Sequence, residues 1–428
     1  MLNVKKIVCS VALCGALCGC VSGETDAFGE NVASGMKTPE TSKHFRKYTD
    51  PVSGAVSYIL ETRIAENQQS FYFTHNSMTD DGRFLLFSQS GGTLGEKRIL
   101  GMVDFMKDEV FSLDTPGWMP LIDQATDRMY SVNDRGFSYR DLKADPMKDL
   151  FVCAIPETLK AEGKRIFRYC THLTLTPDRR KAFLDLRIDD KFVQGVVDLE
   201  KGTWEKWNEE TFHINHGQLN PVNGELALCA YEGVPWTDTK GVEHRGLVRE
   251  NGVYPRLQLI SKGKRQMIPA QAKNTASHEK WTADGKGFYW CGRGVWYHDL
   301  ATGEQTNLVP FRASHATMTA DRRYATFDRS GGNRYFRGQP WKVGFWNLVL
   351  NKGVWIFSDL PAYNTPENPS KLHPDPHPQF VCRDRYIVST VNHGDGRMDI
   401  AVTPVAPLAA LTAEKDASVL LPEPLSDL

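Results

Sequence analysis

Ser277-His278-Glu279-Lys280-Trp281-Thr282-Ala283-Asp284-Gly285-Lys286-Gly287-Phe288-Tyr289-Trp290-Cys291 decides the fold, because its pattern returns along the chain. A histidine stands shortly before a turn acid or amide, and an apolar or aromatic run follows the turn. The same order links His75 to Asp81, His172 to Asp178, His216 to Asn223, His315 to Asp321 and His377 to Asp384. A further copy, around Asp127, carries Leu121 where the histidine would stand. The runs Phe84–Phe87, Ala182–Leu186 and Tyr386–Thr390 read as short strands bounded by turn residues. Turn centres recur roughly forty to sixty residues apart, the length of a four-stranded propeller blade.

Second hairpins support this period. Val197–Trp204 and His298–Glu304 each read as strand, tight turn and strand, and Asn347–Trp355 is a variant of the same unit. Asp and Gly serve there because such turns need positive φ. The expected fold is therefore all-β: a seven-bladed β-propeller of four-stranded antiparallel blades, closed so that no long sheet edge is exposed. Equivalent positions of stacked repeats become neighbours. Six histidines near the start of innermost strands should then ring one mouth of the central channel.

The expected organisation is a lipoprotein signal over 1–19, a polar tether over 20–45, the propeller over 46–410 and a tail over 411–428. Lys5 and Lys6 precede an apolar Ile7–Leu17 stretch too short to span a bilayer. Leu17-Cys18-Gly19-Cys20 resembles a bacterial lipobox, with Cys20 as the lipid-bearing residue, the alternative being an ordinary secretory signal cut after Gly19 or nearby. Export, with anchoring in the periplasm or at the cell surface, follows. Cys153, Cys170, Cys229, Cys291 and Cys382 have no CxxC spacing and are expected as buried free thiols, with one disulfide of unassigned pairing as the alternative. Lys plus Arg number 51 against 52 for Asp plus Glu. So even a balance supplies no global field for a nucleic acid, and an anionic ligand needs a local basic patch.

His278-Glu279 is not a HExxH zinc motif, because Thr282 stands where its second histidine belongs. There is no GxSxG elbow either. The stretches YFTHNSMTDDGRFLLF (72–87), INHGQLNP (214–221) with LALCAYEG (226–233), SHEKWTADG (277–285), ASHATMTAD (313–321) and PHPQF (376–380) together resemble the oligogalacturonate lyase family of propellers. The propeller ulvan lyases are similar as well. The resemblance runs from about Tyr72 to Val405.

It implies β-elimination at a uronic acid: loss of the C5 proton and expulsion of the 4-oxygen of the glycosidic bond. Such a site needs a base near C5 and a cation or donor on the carboxylate. The family's catalytic base matches His216, and two of its metal-binding histidines match His278 and His377. The chain departs from the family at Asp375, where a ligand histidine is expected, and at Leu372, where a glutamine is expected. His315, His373 or Asp375 would complete the ligand shell of a divalent metal, Mn²⁺, Ca²⁺ or Zn²⁺. Likeness to the ulvan lyases implies a role for His75 in proton transfer, with Tyr169 and Arg187 as candidates for acid/base work and carboxylate neutralisation. The expected partner is an anionic uronate oligosaccharide or polysaccharide, oligogalacturonide first and ulvan-type second, acted on by a monomer. The alternative is a propeller without catalysis that binds glycan or protein at the cell surface. A periplasmic assembly propeller, in which the histidine phase is accidental, is a third.

Overall fold

The computed structural model describes residues 34–91, 99–116, 120–233, 235–244, 254–270, 276–329, 339–361, 375–393 and 397–414. The signal segment, Cys20, most of the tether, Leu372, His373 and the tail from 415 lie outside the described residues. Among the described residues no helix is long and apolar enough to cross a membrane.

The repeated turns have one chemistry. The hydroxyls of Thr79, Thr176, Thr282 and Thr319 donate to the carboxylates of Asp81, Asp178, Asp284 and Asp321 at 2.6–2.7 Å. The same carboxylates accept the backbone N–H groups of Arg83, Arg180, Lys286 and Arg323. This is the local side-chain bonding that makes Asp a turn former. The residue after each Asp is left-handed, with φ of 76° at Gly82, 62° at Arg179, 63° at Gly285 and 58° at Arg322. Gly285 has a second reason to be glycine, because a Cβ there would lie 2.4 Å from Asn220 Oδ1.

Each turn feeds an antiparallel blade. Leu121–Asp123, Arg128–Asn133, Gly136–Asp141 and Asp145–Cys153 form one sheet in chain order. Lys181–Ile188, Lys191–Asp198 and Thr203–Glu210 form the next, with Ile166–Arg168 and Thr174–Leu175 both on its inner edge. Ile214–Leu219, Ala227–Tyr231, Tyr254–Ser261 and Lys264–Ala270 make a third, and Ser277–Trp281 to Gln305–Val309 a fourth. Ala316–Met318, Tyr324–Arg329, Trp341–Asn347 and Lys352–Leu360 make a fifth.

The expectation of seven separate four-stranded sheets needs correction, for only these five stand as separate blades. The remaining strands of the ring belong to one nine-stranded sheet holding both ends of the described chain. Val56–Leu60 pairs with Met398–Pro404, so a strand from near the start closes on one from near the end. A parallel bridge, Asn67 to Met398, then joins that group to Asn67–Gln69 and the strands up to Glu109–Pro116. The physical reason is closure: the sheet edges meet where the chain ends meet. The molecule is an all-β propeller.

Period-two burial packs the sheets together. Tyr289, Val295, Val309, Phe311, Phe327 and Trp346 form one inter-sheet core, and Tyr130, Phe137, Leu184, Leu186 and Val193 another. Trp281, Tyr289 and Trp290 are buried, while Trp296 is only half-buried. The five described cysteines are free thiols. A helix, Val405–Ala413, packs on Trp341–Asn347 and Lys352–Leu360, where Asn347 Nδ2 donates to Thr412 Oγ1 at 3.2 Å.

Candidate active site

Two bulges aim the central histidines. In Ile214–Leu219 the register slips by one residue between Asn215 and Gln218, and in Ser277–Trp281 it slips identically between Ser277 and Lys280. His216 and His278 occupy those slips with φ of 54° and 53°, and His377 sits at 46°. A bulge re-aims a side chain that strand alternation would point elsewhere. Histidine is among the residues that enter the left-handed region less rarely than most, and such strain gathers at functional sites.

The histidines do form one cluster. Successive ring centroids are 5.4 Å apart from His75 to His172, 5.3 Å to His216, 6.4 Å to His278, 4.0 Å to His315 and 4.4 Å to His377. Tyr72 stands inside the series, its ring 5.3, 6.1, 6.3, 5.7 and 4.8 Å from His172, His216, His278, His315 and His377. Phe73 packs beside it against His278 and His315, and the Lys280 ammonium donates to the Phe73 carbonyl at 2.9 Å. Burial pulls the Lys280 pKa down to about 8.

One side of the ring has the make-up of a metal centre. His315, Asp375 and His377 offer ligand atoms that all lie within 4.8 Å of one another, and all three residues are buried. His315 Nδ1 lies 3.0 Å from Asp328 Oδ2. A carboxylate can only accept, so Nδ1 carries the proton and the lone pair sits on Nε2. His278 Nδ1 lies 2.5 Å from the Ser314 carbonyl, which fixes its tautomer the same way. Burial and the neighbouring His315 hold the His278 pKa well below 6.5, leaving a neutral imidazole. Asp328 also accepts the backbone N–H groups of His315 at 2.8 Å and His377 at 3.1 Å. One buried carboxylate therefore orients both histidine segments, as outer partners of metal ligands do.

The adjoining corner has the make-up of a proton-transfer site. His216 Nδ1 is 3.3 Å from Glu279 Oε1, and Nε2 is 3.7 Å from Glu232 Oε2. Arg256 bonds both carboxylates at 3.0 Å. Burial raises the pKa of each acid, but Arg256 and His216 outweigh it and bring Glu232 down to about 2 and Glu279 well below the usual range. Both are ionised at neutral pH. On the far side, burial takes the His75 pKa down to about 4, and burial with the neighbouring His216 and His75 takes His172 well below 6.5.

Tyr169 and Arg187 are not part of this cluster. The Tyr169 hydroxyl donates to Asp134 at 3.1 Å, and burial with that contact pushes its pKa up to about 12. Arg187 bonds the Thr237 carbonyl and lies over Phe167 and Trp236. Sequence reading assigned no role to Tyr72, Glu232 or Arg256, which lack the histidine phase, although Tyr72 and Glu232 lie in the stretches 72–87 and 226–233 that carry the resemblance. Asp185 and Asp328 did leave a signal, as the acids inside the apolar runs Ala182–Leu186 and Tyr324–Asp328. Asp185 repeats the role of Asp328, accepting from Thr171 N at 2.6 Å and from Gly217 N of the next blade at 3.3 Å.

No protein-family model matches the chain, and no curated protein sequence matches it. Among solved structures it is similar to an oligogalacturonate lyase from Vibrio parahaemolyticus, at 15% identity and a TM-score of 0.65. It is also similar to an oligogalacturonate lyase in complex with manganese, at 18% identity and a TM-score of 0.61. Each likeness covers 84% of this chain and 96% of the other. At such identities the likeness is one of fold: this chain is a β-propeller built on the plan of those two.

Proposed function

We propose that the protein is a polysaccharide lyase that cleaves a uronate-containing oligo- or polysaccharide by β-elimination, oligogalacturonide first and ulvan-type second. The observation that carries the reading is one ring in which His216, braced by Glu279 and Glu232, stands beside the His315–Asp375–His377 group. The fold shared with two oligogalacturonate lyases supports it. The nine-stranded sheet then counts as two blades fused at the Asn67–Met398 bridge, giving seven around the ring.

The donor set fits a divalent ion: His315 and His377 with the Asp375 carboxylate, and His278 beside them with Nε2 bearing its lone pair. Imidazoles with one carboxylate suit Mn²⁺ or Zn²⁺ better than Ca²⁺, which prefers an all-oxygen shell. Such an ion would supply positive charge at the substrate carboxylate, acidifying the neighbouring C5–H. His216 takes the C5 proton, and Glu279 and Glu232 stabilise the imidazolium that results. Arg256 keeps those two acids ionised and fixed in place. The neutral His75 is the second proton-transfer group of this reading. Tyr169 and Arg187 take no part in it.

The experiment is a screen of pectate, rhamnogalacturonan, ulvan and glucuronan fragments for the absorbance of an unsaturated uronate, with and without chelator. At least one fragment should give product that chelator suppresses. Silence on all four would sink the lyase reading in favour of a binding propeller. Asp328→Asn should weaken metal affinity by about 10–100-fold, read by metal titration, because the His315 tautomer is no longer enforced. Equal affinity would remove His315 from the ligand set. Export and anchoring through Cys20 rest on the sequence; lipid labelling lost in Cys20→Ser checks them.

A further inference from the structure

This inference rests on the lyase reading and concerns the side of the ring away from the metal-ligand group. His172 is 1% exposed, and neither of its ring nitrogens has a hydrogen-bond partner. His75, 2% exposed and 5.4 Å away, is bonded to the Leu173 backbone, and its Nδ1 lies 3.1 Å from the Thr74 hydroxyl. Buried polar atoms are nearly always bonded, and an orphan among candidate functional groups calls for a partner from outside. Here two orphan nitrogens sit on one buried ring.

The surroundings narrow what that partner is. Arg168, bonded to the Ile214 carbonyl at 2.9 Å, is close enough to act on His172, and Lys280 acts likewise on His75. Glu279 acts on His172 in the opposite sense, so the charges around the pair are mixed. A neutral imidazole offers one N–H donor and one lone pair. The matching ligand must donate and accept at once, as a hydroxyl does. His172 also lies between His75 and His216, its ring 5.3 Å from that of the proposed base. A sugar with C5 facing His216 would present its hydroxyl-bearing edge to His172.

We propose that His172 is a specificity-determining residue, one of its ring nitrogens receiving a hydroxyl of the uronate ring. Tyr72 lies stacked over His172, the ring centroids 5.3 Å apart. The orphans are tolerated in the free protein because they are used in the complex, a common trade of stability for function.

That trade yields the test, His172→Phe. Phenylalanine keeps the ring and its stacking on Tyr72 but removes both nitrogens. Replacing unsatisfied polar atoms by apolar ones of similar shape is neutral or stabilising. The free variant should therefore melt no lower than wild type. Binding of trigalacturonate or of a glucuronan trimer, read by calorimetry, should weaken by about tenfold or more, with metal content unchanged. A lower Tm would overturn the inference, since the nitrogens would then serve a structural water. Equal affinity for both trimers, or no binding of either by wild type, would overturn it as well. Failure of the lyase reading shows separately, as absence of unsaturated product from wild type.

Discussion

His216→Asn is expected to lower turnover by about 10²–10⁴-fold while the protein stays folded and keeps its metal. Asparagine is the informative replacement because His216 lies at φ 54°, a conformation Asn adopts more readily than most residues. The variant thus removes the imidazole without adding backbone strain. Glu279 and Glu232 remain bonded to Arg256 at 3.0 Å, so neither buried carboxylate is left alone. The measurements are kcat on the best substrate of the screen, Tm and metal stoichiometry. Turnover within about threefold of wild type, far short of the usual range for a lost base, would move proton abstraction elsewhere on the ring. Lost turnover with lost metal would instead show His216 to be a ligand.

The second large effect is on stability in mild acid. In the unfolded chain a histidine protonates near pH 6.5, whereas folded His75 stays neutral down to about 4. Between those values the unfolded state binds more protons, so stability falls as pH falls from 6.5 toward 4. At about 1.4 kcal/mol per unit, His75 alone contributes about 3 kcal/mol over that window. His172 and His278 are depressed in the same sense and add to it. Glu232 acts later: its contribution, present above its unfolded pKa of 4.5, is lost as pH falls through about 2. Urea midpoints of metal-free protein should be level from pH 7.5 to 6.5 and then decline steadily to 4.5. A level profile across the whole range would mean that the imidazoles are not buried neutral.

How much of this was legible in the chain differs element by element. The Thr-x-Asp turns are local chemistry, with donor and acceptor two residues apart, and Thr282 with Asp284 can be read from four letters of sequence. The histidine phase translated into one ring for the same reason, since stacked repeats map equal positions onto neighbouring places. Tyr72 lies in the stretch 72–87, but its place inside the ring was not legible because it has no histidine phase; it enters from the segment after Asn67–Gln69, a strand of only three residues. Arg256 was invisible because its two acids come from Ala227–Tyr231 and Ser277–Trp281 and their flanks, apart in sequence and adjacent only across blades.

Sequence by itself determined the all-β repeat, its turns, and the gathering of six imidazoles at one place. These follow from periodicity and from short-range hydrogen bonding. Tertiary structure alone decided how the imidazoles divide. Asp328 and the Ser314 carbonyl set the tautomers on one side, Glu279, Glu232 and Arg256 charge the corner at His216, and burial leaves His75 and His172 neutral on the other. It also decided that two groups of strands share one sheet through Asn67 and Met398. Protonation and pairing depend on which distant groups arrive within a few ångströms, and only the closed ring brings them there.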